Sequence, residues 1–183
     1  VVTVHYGYSN NSLMYGLPDV DIDKYEQDIA KLQENKNKFI VSTPSDFDGR
    51  ITISKLRNYI KQYKLDVLAI DGVKYLVDER GRSRDNEASL LTHISEDLMA
   101  LSVEMQVPIV IVSQANRAGA TDDVPDVANI ANSDGIGQCA SRIIAVRQDD
   151  GNLEMRVVKN RYGPLGKKLT YIWNINVGEW IYD

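Results

Sequence analysis

Two polar residues at the ends of apolar runs carry most of the chemical information in this chain. Asp71 closes the run L-D-V-L-A-I-D that starts at Leu65, and Gln114 closes V-P-I-V-I-V-S-Q from Val107. In a parallel α/β sheet such strand ends lie side by side at the carboxyl edge, where ligands bind. A carboxylate there can hold Mg²⁺, usually through water. A neutral amide there can bond a phosphate, or orient a water, and lose that contact on hydrolysis. The plainer alternatives are a strand-terminal Asp capping the turn at Gly72 and a polar residue opening a loop. The two residues, joined by a crossover of suitable length, say more together than either alone. A third group is Lys159, Asn160 and Arg161, ahead of the turn Tyr162-Gly163-Pro164. A hairpin presenting two cations can reach phosphates, with Arg as a planar donor fork and Lys as a point charge. Its alternative is a solvated basic turn.

These groups need a framework to position them. Val1–Tyr6 is β-like, and Tyr8–Pro18 reads as irregular or as one turn of helix. Asp21–Asn35 places Ile22, Tyr25, Ile29 and Leu32 at helical spacing. Phe39–Ser42 is expected as a short strand and Ser45–Arg50 as a loop. Ile53–Tyr63 is a helix with Ile53, Leu56 and Ile60 on one face. Asp66–Asp71 is expected as a buried strand, and the charged stretch Val77–Asn86 as a mobile loop. Glu87–Met105 gives the strongest helical stripe, through Leu90, Leu91, Ile94, Leu98, Leu101 and Met105. His93 falls at the surface or boundary of that helix. Val107–Val112 reads as a strand covered on both faces. Ala115–Asn132 is a long loop, of a length usually functional or disordered. Four strands follow, at Arg142–Arg147, Leu153–Lys159, Lys167–Asn174 and Glu179–Tyr182, with turns at Asp149–Asn152, Tyr162–Gly166 and Asn176–Gly178. The fold class is therefore α/β, a mostly parallel sheet flanked by helices and closed by antiparallel strands. No repeat or linker divides residues 1–183.

Composition removes several classes. The 183 residues are 43% hydrophobic and 26% charged, which suits a globular domain with a substantial core. No apolar run is long enough to span a membrane, and no secretory signal is visible. The net charge of −5 gives no bulk basic field for nucleic acid, though basic residues facing the inside of a ring remain compatible with it. His5, His93 and Cys139 have no metal-ligand spacing. A lone Cys139 excludes an internal disulfide framework, suits a reducing compartment and reads as a small apolar residue. A phosphate loop, G-x-x-x-x-G-K followed by Ser or Thr, does not occur in the 183 residues. Gly163-Pro164-Leu165-Gly166-Lys167-Lys168 has the wrong spacing and lies between strands.

In their order these pieces resemble the C-terminal, RecA-like motor domain of DnaB-type hexameric replicative helicases, bacterial or phage. Val107-Pro108 through Ser113-Gln114-Ala115-Asn116-Arg117 matches the family's V-P-V-I-x-x-S-Q-x-N-R. Val158 through Gly166 matches its K-x-R-x-G-P-x-G hairpin. Asn132–Ser141 is similar to E-S-G-x-I-E-Q-D-A-D, retaining Ser133, Ile136, Gln138 and Ala140. Leu13-Met14-Tyr15-Gly16 and the acidic helix after it resemble the stretch following the family's second strand. The resemblance implies an ATP- and Mg²⁺-dependent helicase that translocates on single-stranded DNA as a hexameric ring in a bacterial or phage-infected cytosol, with primase and a helicase loader as partners. It implies that Asp71 is the Walker B acid acting on Mg²⁺, that Gln114 senses the γ-phosphate, and that Lys159 and Arg161, with Gly163 in their turn, complete a neighbour's nucleotide site. It implies DNA contacts from Arg80, Arg82 and Arg84, from Asn116 and Arg117, and from Gly135 and Gly137. Two departures stand out. Gly72-Val73-Lys74 replaces the family's Tyr-Leu-Gln, and the acids near Gly137, Cys139 and Ser141 are absent. The resemblance places the phosphate loop and catalytic glutamate ahead of Val1, so residues 1–183 are expected as one domain lacking that segment and inactive alone. The rival expectations are another RecA-like ATPase, of recombinase or clock type, and a non-catalytic assembly module.

Overall fold

A computed structural model of the chain describes residues 6–16, 20–34, 36–80, 86–114, 134–149, 151–166 and 168–182. The strand expected at Val1–Tyr6, the centre of the charged loop at 81–85 and the long loop at 115–132 lie, wholly or nearly so, outside these residues. The chain divides into two compact units, one of residues 1–41, 147–155 and 168–183, the other of 42–146 and 156–167.

In the first unit, α1 (Asn10–Tyr15) starts at Ser9, whose Oγ accepts the Ser12 N–H at 3.1 Å. α2 (Ile22–Glu34) matches the expected helix, but its most buried residue is Asp28, not an apolar one. The Tyr8 hydroxyl donates to Asp28 Oδ2 at 3.0 Å and Lys31 Nζ to Oδ1 at 2.9 Å. A carboxylate can be buried only with such partners. Burial, then the bond and charge of Asp28, push the Tyr8 phenol up to about 12. The last two strands, β5 (Lys168–Asn174) and β6 (Glu179–Tyr182), pair antiparallel, setting Tyr171 opposite Tyr182 and Trp173 opposite Trp180. Their turn accepts the Asn10 N–H on the Asn176 carbonyl at 2.7 Å.

The second unit holds the larger core and the candidate site. α3 (Ile53–Tyr63) is capped by Thr52 and buries Ile53, Leu56 and Ile60, the three residues its periodicity selects. β1 (Leu68–Asp71) leads through α4 (Glu87–Met105) to β2 (Ile109–Val112), and the two strands pair in parallel. α4 is capped by Asn86, whose Oδ1 accepts the Ser89 N–H at 2.9 Å, and ends at Gln106 in the left-handed region, φ 53°. Leu91, Ile94, Leu98 and Leu101 of its stripe are buried with Phe47, Val73, Leu76, Val107 and Ile136 in one cluster. Short α5 (Asp134–Cys139) packs against α4. β3 (Arg142–Asp149) and β4 (Asn152–Asn160) follow, and the last four strands form one sheet in the order β3-β4-β5-β6.

The α/β class is found, with parallel pairing early and hairpin strands late, but among the described residues the parallel part is only two strands. Four local expectations change. β1 and β2 are not covered on both faces: burial alternates along each, and Val110 and Val112 are 53% exposed. Helices of this unit cover one face, so only every second residue enters the core. Phe39–Ser42 is extended but forms no ladder, and Phe39 and Val41 stay exposed. A strand needs a neighbour's backbone groups, and propensity alone does not supply one. Pro44–Phe47 within the expected loop is a 3₁₀ turn, closed by Asp46 accepting the Thr43 N–H at 2.6 Å. Val77–Arg80 is tied down by side-chain bonds rather than mobile. Among the described residues no helix is long and apolar enough to cross a membrane.

Leu98 is 2% exposed at the centre of this core. Leu98→Ala is expected to lower unfolding stability by about 2–5 kcal/mol in urea titrations, while Val110→Thr on the open sheet face shifts it by no more than ~0.5 kcal/mol.

Candidate functional site

The first part of the site is the carboxyl edge of β1 and β2. Asp71 lies opposite Val112 in the parallel register, and the Gly72 N–H donates to the Val112 carbonyl at 3.2 Å. Gln114 therefore leaves β2 two residues beyond Asp71's partner. Both side chains are exposed, as a group that must meet a ligand requires. Gly72 turns the chain away at φ 88°, and a Cβ there would fall 2.7 Å from the Tyr75 ring. Only glycine lets the chain leave the strand so abruptly below Asp71. A hard carboxylate oxygen suits Mg²⁺, which accepts one or two protein carboxylates and completes its shell with water and phosphate oxygens. No group of three His, Cys, Asp or Glu capable of holding a metal alone exists among the described residues. The donor set thus fits a metal shared with a phosphate better than a resident metal.

The second part is the end of β4. Lys159 Nζ donates to the carbonyls of Gly137 at 2.5 Å and Gln138 at 2.9 Å, and Arg161 Nη2 donates to Gln138 at 2.8 Å. Both cations therefore sit on the C-terminal carbonyls of α5. The Asn160 side chain shapes the turn between them, its Oδ1 accepting the Tyr162 N–H at 3.2 Å. The Arg142 guanidinium lies 5.9 Å from the centre of the Tyr162 ring. Burial, and then repulsion from Arg161, hold the Lys159 ammonium below its ordinary pKa. Cys139 is half-buried beside this pair, and burial followed by Glu96 raises its thiol despite the two cations. A thiol raised in this way is no activated nucleophile.

A third cluster, on Val77–Arg80 and α4, was not visible in the sequence. The Asp78 side chain is only 3% exposed. Its Oδ1 accepts the Arg80 N–H at 3.1 Å and faces Arg80 Nη1 at 3.4 Å, while Oδ2 faces His93 Nδ1 at 3.4 Å. Arg80 Nη2 also reaches Asp97 at 2.7 Å. Glu79 turns the other way and accepts the Ser54 N–H at 3.0 Å and Oγ at 2.9 Å, at the start of α3. The stretch following Asp71 is thereby fastened to both helices. A charged stretch such as V-D-E-R reads as solvated, and nothing local to it marks Asp78 as buried. The only available signal was His93, fifteen positions away on α4.

The expected site residues therefore fall into separate groups. Asp71 and Gln114 share one edge; Lys159 and Arg161 share one carbonyl; no hydrogen bond or ion pair joins the two groups among the described residues. Gly163 lies where a Cβ would be 2.7 Å from Asn160 Nδ2, so it permits the tight turn. Arg80 is engaged by two carboxylates of its own chain. Gly135 and Gly137 are buried, and a Cβ on Gly135 would meet Thr92 of α4 at 2.6 Å. Arg82, Arg84, Asn116 and Arg117 lie outside the described residues.

Burial raises the Asp78 carboxyl, but the Arg80 N–H and charge and the His93 contacts outweigh it and leave it below the ordinary range. A depressed carboxyl contributes stability that is present above its unfolded value and lost as pH falls through its folded value. Unfolding midpoints followed from pH 7 downward are thus expected to fall most steeply below about pH 4, and Asp78→Asn is expected to lower the midpoint at pH 7 and flatten that acid slope.

Residues 8–177 match the family model described as the DnaB-like helicase C terminal domain. A probable plasmid replicative DNA helicase of Chlamydia trachomatis is 26% identical over 150 residues, covering 77% of this chain and 33% of that protein. The curated relatives share this proportion: the chain spans about a third of their length. Among solved structures, a separately determined ATPase domain superposes with a TM-score of 0.82 at 16% identity, covering 98% of this chain and 67% of the other. A DnaB-like replicative helicase, determined with a view to its interactions with primase, gives 0.81 at 16% identity, covering 98% and 47%.

Proposed function

Because the chain belongs to the DnaB-like helicase C terminal domain family, we propose that residues 1–183 act as one RecA-like motor domain of a replicative DNA helicase. In this reading the parent protein couples ATP hydrolysis at subunit interfaces to movement along single-stranded DNA and to strand separation. It works as a ring, in the cytoplasm, and engages primase. The observation that supports it most is the placement of Asp71 and Gln114 at the ends of adjacent parallel strands, within a fold shared over nearly the whole chain with an ATPase domain and a DnaB-like replicative helicase.

Each residue has a distinct part. Asp71 holds Mg²⁺ through water, and the metal when bound neutralises charge on the phosphates. Gln114 donates its amide to the terminal phosphate and loses that contact when the phosphate leaves. Lys159 and Arg161 place their charges on the phosphates of an adjacent subunit's nucleotide, and the tight turn at Gly163 holds them in reach. The basic residues Arg80, Arg82 and Arg84 and the segment around Asn116, Arg117, Gly135 and Gly137 carry the DNA side, where backbone amides and a few cations can track a strand without reading sequence.

A second reading rests on the absence of a phosphate loop from the 183 residues: taken alone, they form a RecA-like assembly module without nucleotide chemistry. Calorimetry separates the two levels. The 183-residue chain is expected to show no ATP binding, and the parent protein to bind ATP with Mg²⁺.

In the parent protein Arg161→Ala is expected to reduce DNA-stimulated ATP hydrolysis by ~10³–10⁵, the range such trans-acting fingers supply. Undiminished hydrolysis would remove Arg161 from the mechanism. Gln114→Ala is expected to reduce hydrolysis while leaving ATP affinity, read by calorimetry, within about tenfold, because the sensor acts chiefly in the step that breaks the phosphate bond.

A further inference from the structure

Lys159 and Arg161 are held by α5 in a way that the proposed trans-acting role does not need. Three donor contacts from the two side chains converge on two successive carbonyls, those of Gly137 and Gln138. These carbonyls end a helix and carry its partial negative charge. No ion pair to a carboxylate compensates either cation among the described residues. The two charges repel each other while they share the Gln138 oxygen. Burial adds to that repulsion at Lys159. The cations thus rest on acceptors with only partial charge, in a setting where a fully charged acceptor would bind more strongly. A phosphate oxygen is such an acceptor, and charge-assisted bonds to it are roughly twice as strong as bonds between neutral groups.

The helix they hold is itself tightly seated. Gly135 is so close to Thr92 that a Cβ would lie 2.6 Å from that residue's Cα, which leaves α5 no freedom to slide toward α4. The Arg161 N–H donates to the Ser141 carbonyl at 3.0 Å, so the backbone of the hairpin stays registered to the end of α5 even when its side chains leave. The free end is the C-terminal one. There the Ala140 N–H donates to Ile136 at 3.1 Å, and the two cations cover the carbonyls that follow.

We propose that α5 is the resting place of the two cations, and that they alternate between its C-terminal carbonyls and the phosphates of a neighbouring subunit's nucleotide. This inference rests on the trans-acting reading given above. It adds a consequence: when the nucleotide takes Lys159 and Arg161, it uncaps α5, and the segment assigned to the DNA side registers the state of the adjacent ATP site. By linkage, anything that frays or shifts the end of α5 releases the cations toward the nucleotide. Gly135 and Thr92 are then positioning residues, acting through α5.

The test is hydrogen–deuterium exchange of the peptide covering Asp134–Ser141 in the assembled parent protein, with and without a non-hydrolysable ATP analogue and Mg²⁺. The analogue is expected to speed exchange at Gln138–Ala140 by roughly two- to fivefold, the range a cation contributes at a helix C-terminus. Lys159→Ala/Arg161→Ala is expected to start at the faster rate and to show no response to the analogue. The proposal is overturned if the analogue leaves those amides protected, or if the double variant keeps the wild-type rate. ATP hydrolysis by the double variant is read in parallel to locate the failure. Lost hydrolysis with unchanged exchange overturns only the alternation, whereas retained hydrolysis overturns the trans-acting premise and the alternation together.

Discussion

The parallel pairing of β1 with β2 is the constraint on which the second unit depends. Parallel strands cannot be joined by a turn; the chain must return to the starting end of the sheet, and a helix is the compact way to do so. Here that return is α4, nineteen residues long. Its buried stripe makes the core with α3 on one side and with α5 on the other. The register Asp71 opposite Val112 follows from it, and so does the exposure of Asp71 and Gln114 at a common edge. Shifting β2 by one residue would turn Ile109 and Ile111 out of the core and Val110 and Val112 into it. The candidate site is thus a by-product of how one helix is buried.

The same helix links the parts that no direct bond joins. Its first turns face Gly135 of α5 and, through His93 and Asp97, the ion-pair cluster on Val77–Arg80. That cluster lies a few residues beyond Asp71, while α5 carries the carbonyls beneath Lys159 and Arg161. A displacement of α4 is therefore felt both behind the proposed metal-binding acid and under the proposed trans-acting cations. Packed interiors transmit such displacements because they have little free volume to absorb them. In the proposed motor this is the physical route from a phosphate to the DNA side.

Much of this was legible in the sequence where a periodic pattern is long. α3 and α4 have the boundaries their stripes imply, because burial on one face requires a 3.6-residue repeat and caps such as Thr52 and Asn86 mark the ends. The late hairpins were legible from their turn residues. What escaped was whatever depends on partners. I-V-I-V is apolar at every position, so it cannot show that only one face of β2 is covered. Phe39–Ser42 has the composition of a strand and no ladder to join. Asp78 and Asp28 look like surface acids, yet each is buried by charges brought from elsewhere along the chain. Lys159 and Arg161 read as a basic turn, and their carbonyl acceptors lie more than twenty residues upstream.

The central claim is that a working nucleotide site is divided between subunits, with Asp71 and Gln114 from one and Lys159 and Arg161 from the next. It is tested most directly by mixing two variants of the parent protein, Asp71→Asn and Arg161→Ala, each impaired in ATP hydrolysis by itself. Mixed rings contain interfaces that join an intact Asp71 to an intact Arg161. The account predicts that mixing restores hydrolysis above that of either variant alone. No gain on mixing, under conditions where subunit exchange is verified, would contradict it.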